Sequence, residues 1–128
     1  MGQPAAKKGD KIVAMDIHTV VVMQVSTPTP HPFSGVIDGG LCGSVYIMGA
    51  PAATVDSTAT NTPAHRPIPP NGRFVPRPSN KATIIAGSGS VTIGGKAAAR
   101  SGDTANTCND GGNLPVGTVV AGGSVLIG

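Results

Sequence analysis

The sequence predicts an all-β fold built on a threefold internal repeat, with few or no helices. Three observations lead there. Nineteen Gly and twelve Pro among 128 residues interrupt the chain too often for long helices, because Pro removes a backbone donor and Gly is costly to order. One short strand occurs three times, as Ser44-Val45-Tyr46-Ile47, Ser90-Val91-Thr92-Ile93 and Ser124-Val125-Leu126-Ile127. Each copy ends directly before a Gly or one residue short of it.

Within each copy the Val and Ile lie two apart and share one strand face, whereas Tyr46, Thr92 and Leu126 face the other way. Met48-Gly49 and Gly94-Gly95 follow, where positive φ is easiest, and then a second run, APAAT or KAAAR. That is a hairpin signal. Pro51 places its arm at a sheet edge or in a solvent-facing register. The third copy has only its first arm before Gly128, yet GQPAAKKGD at residues 2–10 matches GKAAARSGD at residues 95–103 in length, position for position. The missing arm therefore opens the chain. This predicts one domain over residues 1–128 whose third repeat is split between the N- and C-terminal ends, so that the termini meet. The apolar run TVVVM at residues 19–23 reads as a buried strand. With one Tyr, two Phe and no Trp, the core is assembled from Val, Ile, Ala, Leu and Met, which bury less area than aromatics. A chain of this kind needs a staple, either a metal, a disulfide or a partner.

Charge and hydropathy exclude several classes. The nine basic residues outnumber six acidic ones but are scattered, without the basic strip that tracks phosphates, so nucleic acid is not expected as a partner. No stretch approaches the roughly 20 apolar residues of a membrane-spanning helix. The start MGQPAAKKGD lacks the apolar segment of a signal peptide, and the expectation is a soluble protein made in the cytoplasm.

Metal-type side chains recur with the repeats. Each repeat passes an Asp, at Asp10, Asp56 and Asp103, and within five to nine residues reaches His18, His65 or Cys108. If three units surround one axis, such loop positions converge on it. His31, in the stiff PTPHPF segment, is the only other His and is the candidate fourth ligand. Three imidazoles and one thiolate make a closed shell of the type that binds structural zinc. A Cys42–Cys108 disulfide is the competing use of the sulfurs, disfavoured in a reducing compartment. Cys42 precedes a repeated strand and has no equivalent loop position.

At these residues the chain resembles the PAAR-repeat family, in particular the PAAR-like proteins of bacterial contractile injection systems such as type VI secretion. The motifs that carry the resemblance are PAAKKGD, PHPFSGVIDGG, PAATVDSTATNTPAH, PSNKATIIAGSGSVTIGGKAAARSGDTANTC and GGSVLIG. It implies a small cone of β-hairpins whose sharp end is pinned by one zinc ion, with iron the lesser alternative. The family's three His and one Cys carry over onto His18, His31, His65 and Cys108. It also implies a broad base seated on a trimeric VgrG-like spike protein, one chain per trimer. The chain would be a monomer on its own, would contact the target membrane transiently and would aid effector delivery, any effector being a separate chain. It would be made in the bacterial cytoplasm and delivered outside at the tip of the apparatus. The signature departs from Pro-Ala-Ala-Arg, reading Pro4-Ala5-Ala6-Lys7, Pro51-Ala52-Ala53-Thr54 and Ala97-Ala98-Ala99-Arg100, and the middle repeat lacks a Gly before Asp56.

An enzyme is not expected. The chain contains no Glu, no close pair of carboxylates and no Gly-flanked Ser beside a His, and four protein ligands would fill a zinc shell that a catalyst keeps open. A generic zinc-stabilised β-module that binds another protein or a carbohydrate is the alternative, although Tyr46, Phe33 and Phe74 are few and scattered for sugar binding.

Overall fold

A computed structural model describes residues 2–109 and 114–128, and among these there is no helix. The strands are β1 (Gln3–Pro4), β2 (Lys11–Val22), β3 (Val25–Gly39), β4 (Cys42–Ile47), β5 (Ala50–Ala52), β6 (Thr58–Asn61), β7 (Arg73–Phe74), β8 (Lys81–Ile84), β9 (Thr92–Ile93), β10 (Lys96–Ala97), β11 (Thr104–Thr107), β12 (Leu114–Val120) and β13 (Leu126–Ile127). The all-β expectation holds. Six strands close a small barrel in the order β2, β3, β6, β8, β11, β12, and β12 returns to β2 through Thr118↔Val13, Val119↔Ile12 and Val120↔Lys11. The short β7 pairs farther along β2, at Val20↔Phe74 and Val21↔Arg73. Closure removes the free edges that an open sheet would present.

Three two-stranded sheets stand outside the barrel: β4 with β5, β9 with β10, and β1 with β13. The first two turn at Met48-Gly49 and Gly94-Gly95, all four residues having φ between 50° and 85°, the conformation that a two-residue hairpin requires. In the last pair Gln3 faces Ile127 and Pro4 faces Leu126, so the two chain ends lie side by side. Tyr46, Thr92 and Leu126 are exposed, while Ile47 and Ile127 are buried and Val45, Val91 and Ile93 pack against them. Val125 is the exception to the shared inward pair, being 40% exposed.

Between the outer hairpins and the barrel, the three Ala-rich segments meet in a closed ring. Ala6 N–H donates to the carbonyl of Ala99, Ala99 to that of Ala53, and Ala53 to that of Ala6, at 2.9, 3.1 and 3.0 Å. A second ring-wise set joins Lys8 to Pro51, Val55 to Ala97 and Ser101 to Pro4, each at 2.9 Å. Ala6, Ala53 and Ala99 are wholly buried. Backbones this close leave room for a methyl group and little more, which accounts for the Ala at each position.

The ring also corrects the alignment of the repeats. The Lys7 and Arg100 N–H groups donate to the carboxylates of Asp10 and Asp103, but the equivalent Thr54 N–H donates to the hydroxyl of Ser57. Ser57, not Asp56, is thus the counterpart of Asp10 and Asp103. Asp56 occupies the place of Gly9 and Gly102 and shares their left-handed backbone, with φ of 77° against 93° and 93°. Asp tolerates this region better than most residues, so the Gly missing from the middle signature has been replaced in its own position.

Beyond the ring the barrel interior is filled in layers. Ile37, Ile84 and Val119 are buried, as are Ile12, Ala59 and Ala105. Strand β2 alternates strictly, burying Ile12, Asp16, His18 and Val20 and exposing Val13, Met15 and Ile17. The run at residues 19–23 is therefore not a wholly buried strand. β2 ends at Val22, and Met23 with Gln24 forms the turn at φ of 50° and 68°, Met23 being 89% exposed. The PTPHPF segment is also more regular than a stiff loop, since it lies within β3 and pairs with β2 from Val22↔Val25 to Lys11↔Val36. Pro28, Pro30 and Pro32 alternate with Thr29, His31 and Phe33, so their missing donors all fall on the edge away from β2, and β6 joins that edge only from Gly35 onward.

The left-handed position separates the three repeats energetically. Gly9→Ala and Gly102→Ala each place a Cβ at φ of 93° and are expected to lower stability by about 1–2 kcal/mol. Asp56→Gly is expected to leave stability unchanged or raise it by up to about 1 kcal/mol, because the exposed Lys96–Asp56 pair it removes contributes little. Urea unfolding of the three variants measures the difference.

Candidate metal centre

The strict alternation of β2 carries Asp16 and His18 into the barrel together with Ile12. Across the pair, Asp16 lies opposite His31, which β3 buries by the same alternation. Cys108 follows the end of β11, and His65 comes from the segment after β6. That segment is fastened by two asparagines. Asn80 Oδ1 accepts from the His65 N–H at 2.8 Å and from Asn61 Nδ2 at 3.1 Å, and Asn61 Oδ1 accepts from the Ser34 N–H at 2.9 Å.

Four side chains converge. Donor atoms of Asp16, His18, His65 and Cys108 all lie within 4.8 Å of one another. His65 Nε2 is 3.1 Å from Asp16 Oδ2, the Cys108 thiol donates to the same oxygen at 3.3 Å, and Cys108 Sγ is 3.6 Å from His18 Nε2. Thr107 Oγ1 donates to the other carboxylate oxygen, Oδ1. The sequence-derived residues His18, His65 and Cys108 are thus brought together. His31 lies alongside, with its ring centroid 5.7 Å from both His18 and His65, but it is not one of the four mutually close donors. Phe74 covers the imidazoles edge-on, 5.5 Å from His18 and 5.1 Å from His31. Cys42 packs in a separate cluster near the outer hairpins, and both cysteines are free thiols.

Asp16 and Phe74 were not singled out by the motifs. The signal for Asp16 was present in the two-residue period of β2, which puts a carboxylate between Ile12 and Val20 on the apolar face. Phe74 lies in the Pro-rich stretch after His65, where no period marks a strand.

The electrostatics suit a cation. Burial pushes the Asp16 carboxyl up, but the hydrogen bonds from His65, Thr107 and Cys108, with the charge of His65, outweigh it and hold the group below its ordinary value. Burial, then the neighbouring Asp16 charge and hydrogen bond, push the Cys108 thiol up to about 12, although the N–H groups of Asn80 and Cys108 act in the opposite sense. Without a cation the sulfur therefore keeps its proton. His31 holds its Nδ1 on the Thr29 carbonyl at 2.8 Å, while its buried Nε2 has no hydrogen-bond partner among the described residues. A buried imidazole nitrogen left unpaired carries a desolvation cost, and a cation in this pocket relieves it. Imidazole, thiolate and carboxylate around one point are a donor set that fits a metal ion.

Comparison with known proteins agrees with the motif reading. The family model described as PAAR motif matches residues 26–108, more than half of the chain. No curated protein and no solved structure matches it.

The raised Cys108 value has a pH signature in metal-stripped protein. A thiol ordinarily at 9.0 and raised to about 12 binds its proton more tightly in the folded state. Its contribution to stability is complete below about pH 9 and is lost as the pH rises toward about 12. Chelator-treated protein is expected to lose stability across that window, and Cys108→Ser to abolish the loss; urea unfolding as a function of pH reads it.

Proposed function

Because the chain belongs to the PAAR-motif family, we propose that it caps the VgrG-like spike of a contractile injection system as a structural tip, pinned by one zinc ion and without enzymatic activity. The observation that carries this reading is the convergence of His18, His65 and Cys108, three residues far apart in sequence, on one buried point of a barrel whose backbone closes in a threefold ring. A single chain that repeats itself about an axis offers three similar surfaces, as a homotrimeric partner requires, which a chain without repeats could not do. The outer hairpins supply such a surface, with Tyr46 and Leu126 at 61% and 59% exposed.

Zinc suits a site of imidazole and thiolate, and when bound it cross-links the elements that carry its ligands. Here those elements are β2, the segment after β6 and the end of β11. Asn61 and Asn80 hold the His65 segment in place, and Phe74 keeps water from the imidazoles. Such a cross-link resists unfolding under load, a property that a tip driven through an envelope needs. The protein is made in the bacterial cytoplasm and leaves at the front of the apparatus.

Two measurements test this reading. Cys108→Ser is expected to destabilise far more than Cys42→Ser. Structural zinc contributes about 10 kcal/mol in small zinc peptides and less where a β-core already stands, whereas loss of the half-buried Cys42 thiol costs on the order of 1 kcal/mol. A chelator lowers the melting temperature of the unmodified protein and leaves Cys108→Ser little changed; equal effects of the two substitutions would mean that the ion is incidental. Native mass spectrometry is expected to give a monomer alone and one chain per spike trimer, and three chains on one spike would contradict the cap.

A further inference from the structure

We propose that the cleft between the His65 segment and β7 is a binding site for anionic phosphate groups, and that it takes them from the surface of a lipid bilayer. Arg66, Arg73 and Arg77 line this opening of about 480 Å³, with His65, Phe74 and Asn80 among its other walls. All three arginines are exposed. None of them has a carboxylate within ion-pair distance among the described residues, although Lys7, Lys96 and Arg100 are each paired, with Asp10, Asp56 and Asp103. Neither the metal nor a spike partner enters into this recognition.

The charges of the molecule are sorted along its length. Asp10, Asp56 and Asp103 lie at the ring, and Asp38 stands at the same end of β3, next to Ile37, whose N–H donates to the Asp10 carbonyl. Asp16 is enclosed in the barrel, and Asp110 lies outside the described residues. Three cations that share one cleft repel one another unless an anion comes between them, and a cleft of one sign gathers such anions. Guanidinium groups offer their donors in a fork that matches the oxygens of a phosphate.

The apolar residues around the cleft decide the source of the phosphate. Arg73 lies opposite Val21, and the Val75 N–H donates to the Thr19 carbonyl at 3.1 Å, so β7 runs beside the last residues of β2, next to the turn that carries Met23. The Gly72 N–H donates to the Pro69 carbonyl at 2.9 Å, which brings Ile68 to the same end. Met23, Val25, Ile68 and Val75 are all exposed. A soluble phosphate would use the arginines and leave these side chains in water, whereas a bilayer takes both, holding the cations among its headgroups and the apolar side chains at the boundary with the acyl chains.

Co-sedimentation of the full chain with phosphatidylcholine vesicles, with and without phosphatidylglycerol, tests the site. Binding is expected to require phosphatidylglycerol and to weaken as salt is added. Each basic residue near an anionic surface is worth about 5-fold in binding, so the combined Arg66→Gln, Arg73→Gln and Arg77→Gln variant is expected to lose on the order of 100-fold. Lys8→Gln, Lys11→Gln and Lys96→Gln together remove the same charge elsewhere and are expected to cost less than about 10-fold. Met23→Gln is expected to weaken binding without changing its salt dependence. Equal losses in the two triple variants, or binding to phosphatidylcholine alone that is indifferent to salt, would overturn the proposal. Binding of soluble glycerol phosphate or of an acidic peptide without binding to vesicles would overturn the lipid occupant. Should a variant not fold, the salt and lipid dependence of the unmodified protein decides alone.

Discussion

The structure depends on three chain segments meeting at one axis through a closed cycle of backbone hydrogen bonds, Ala6 to Ala99, Ala99 to Ala53 and Ala53 to Ala6. A cycle of this kind fixes all three repeats at once, because moving any one segment breaks its bonds to both others. It restricts the side chains at the axis to methyl groups, and it sets the direction in which each segment leaves for the barrel. The next turns show the constraint. Gly9, Asp56 and Gly102 share a left-handed backbone, and each donates its N–H to a strand carbonyl, at Ile37, Ile84 and Val119 respectively.

A methyl-lined axis is well tied but poor in buried apolar area. Phe33 is the single buried aromatic of the described core, and the layers above the ring are filled by Ile, Val and Ala. Farther along the interior the side chains become polar: Asn61, Thr107, Asp16, His18 and His31 are all buried. Groups so placed are costly unless each finds a partner. Hydrogen bonds satisfy Asn61, Thr107, Asp16 and the Cys108 thiol, and a cation would serve the buried His31 Nε2. The polar half of the barrel and the candidate metal centre are thus one feature.

Much of this was legible in the sequence, for identifiable reasons. The repeated strand and its Gly turns revealed the hairpins because positive φ is written in the residue type, at Gly49, Gly94 and Gly95. His18, His65 and Cys108 could be grouped because equivalent positions around an axis must converge. What was harder to read depended on register. Asp56 looked like the counterpart of Asp10 by chemistry, yet its backbone belongs to the Gly place, and only the hydrogen bond from Thr54 to Ser57 shows it. The alternating prolines of β3 concealed a strand, since a missing donor matters only on an edge that has a neighbour. Asp16 belongs to none of the repeated motifs, although its parity with His18 on β2 marks it.

The pairing of β1 with β13 joins residues near opposite ends of the chain, Gln3 with Ile127 and Pro4 with Leu126. The strand β1 therefore finds its mate only when a long loop of chain closes. The barrel has the same requirement, since β2 closes on β12. Much of the topology is therefore non-local, and such pairings slow folding because the entropy of closing long loops is lost before the contacts form.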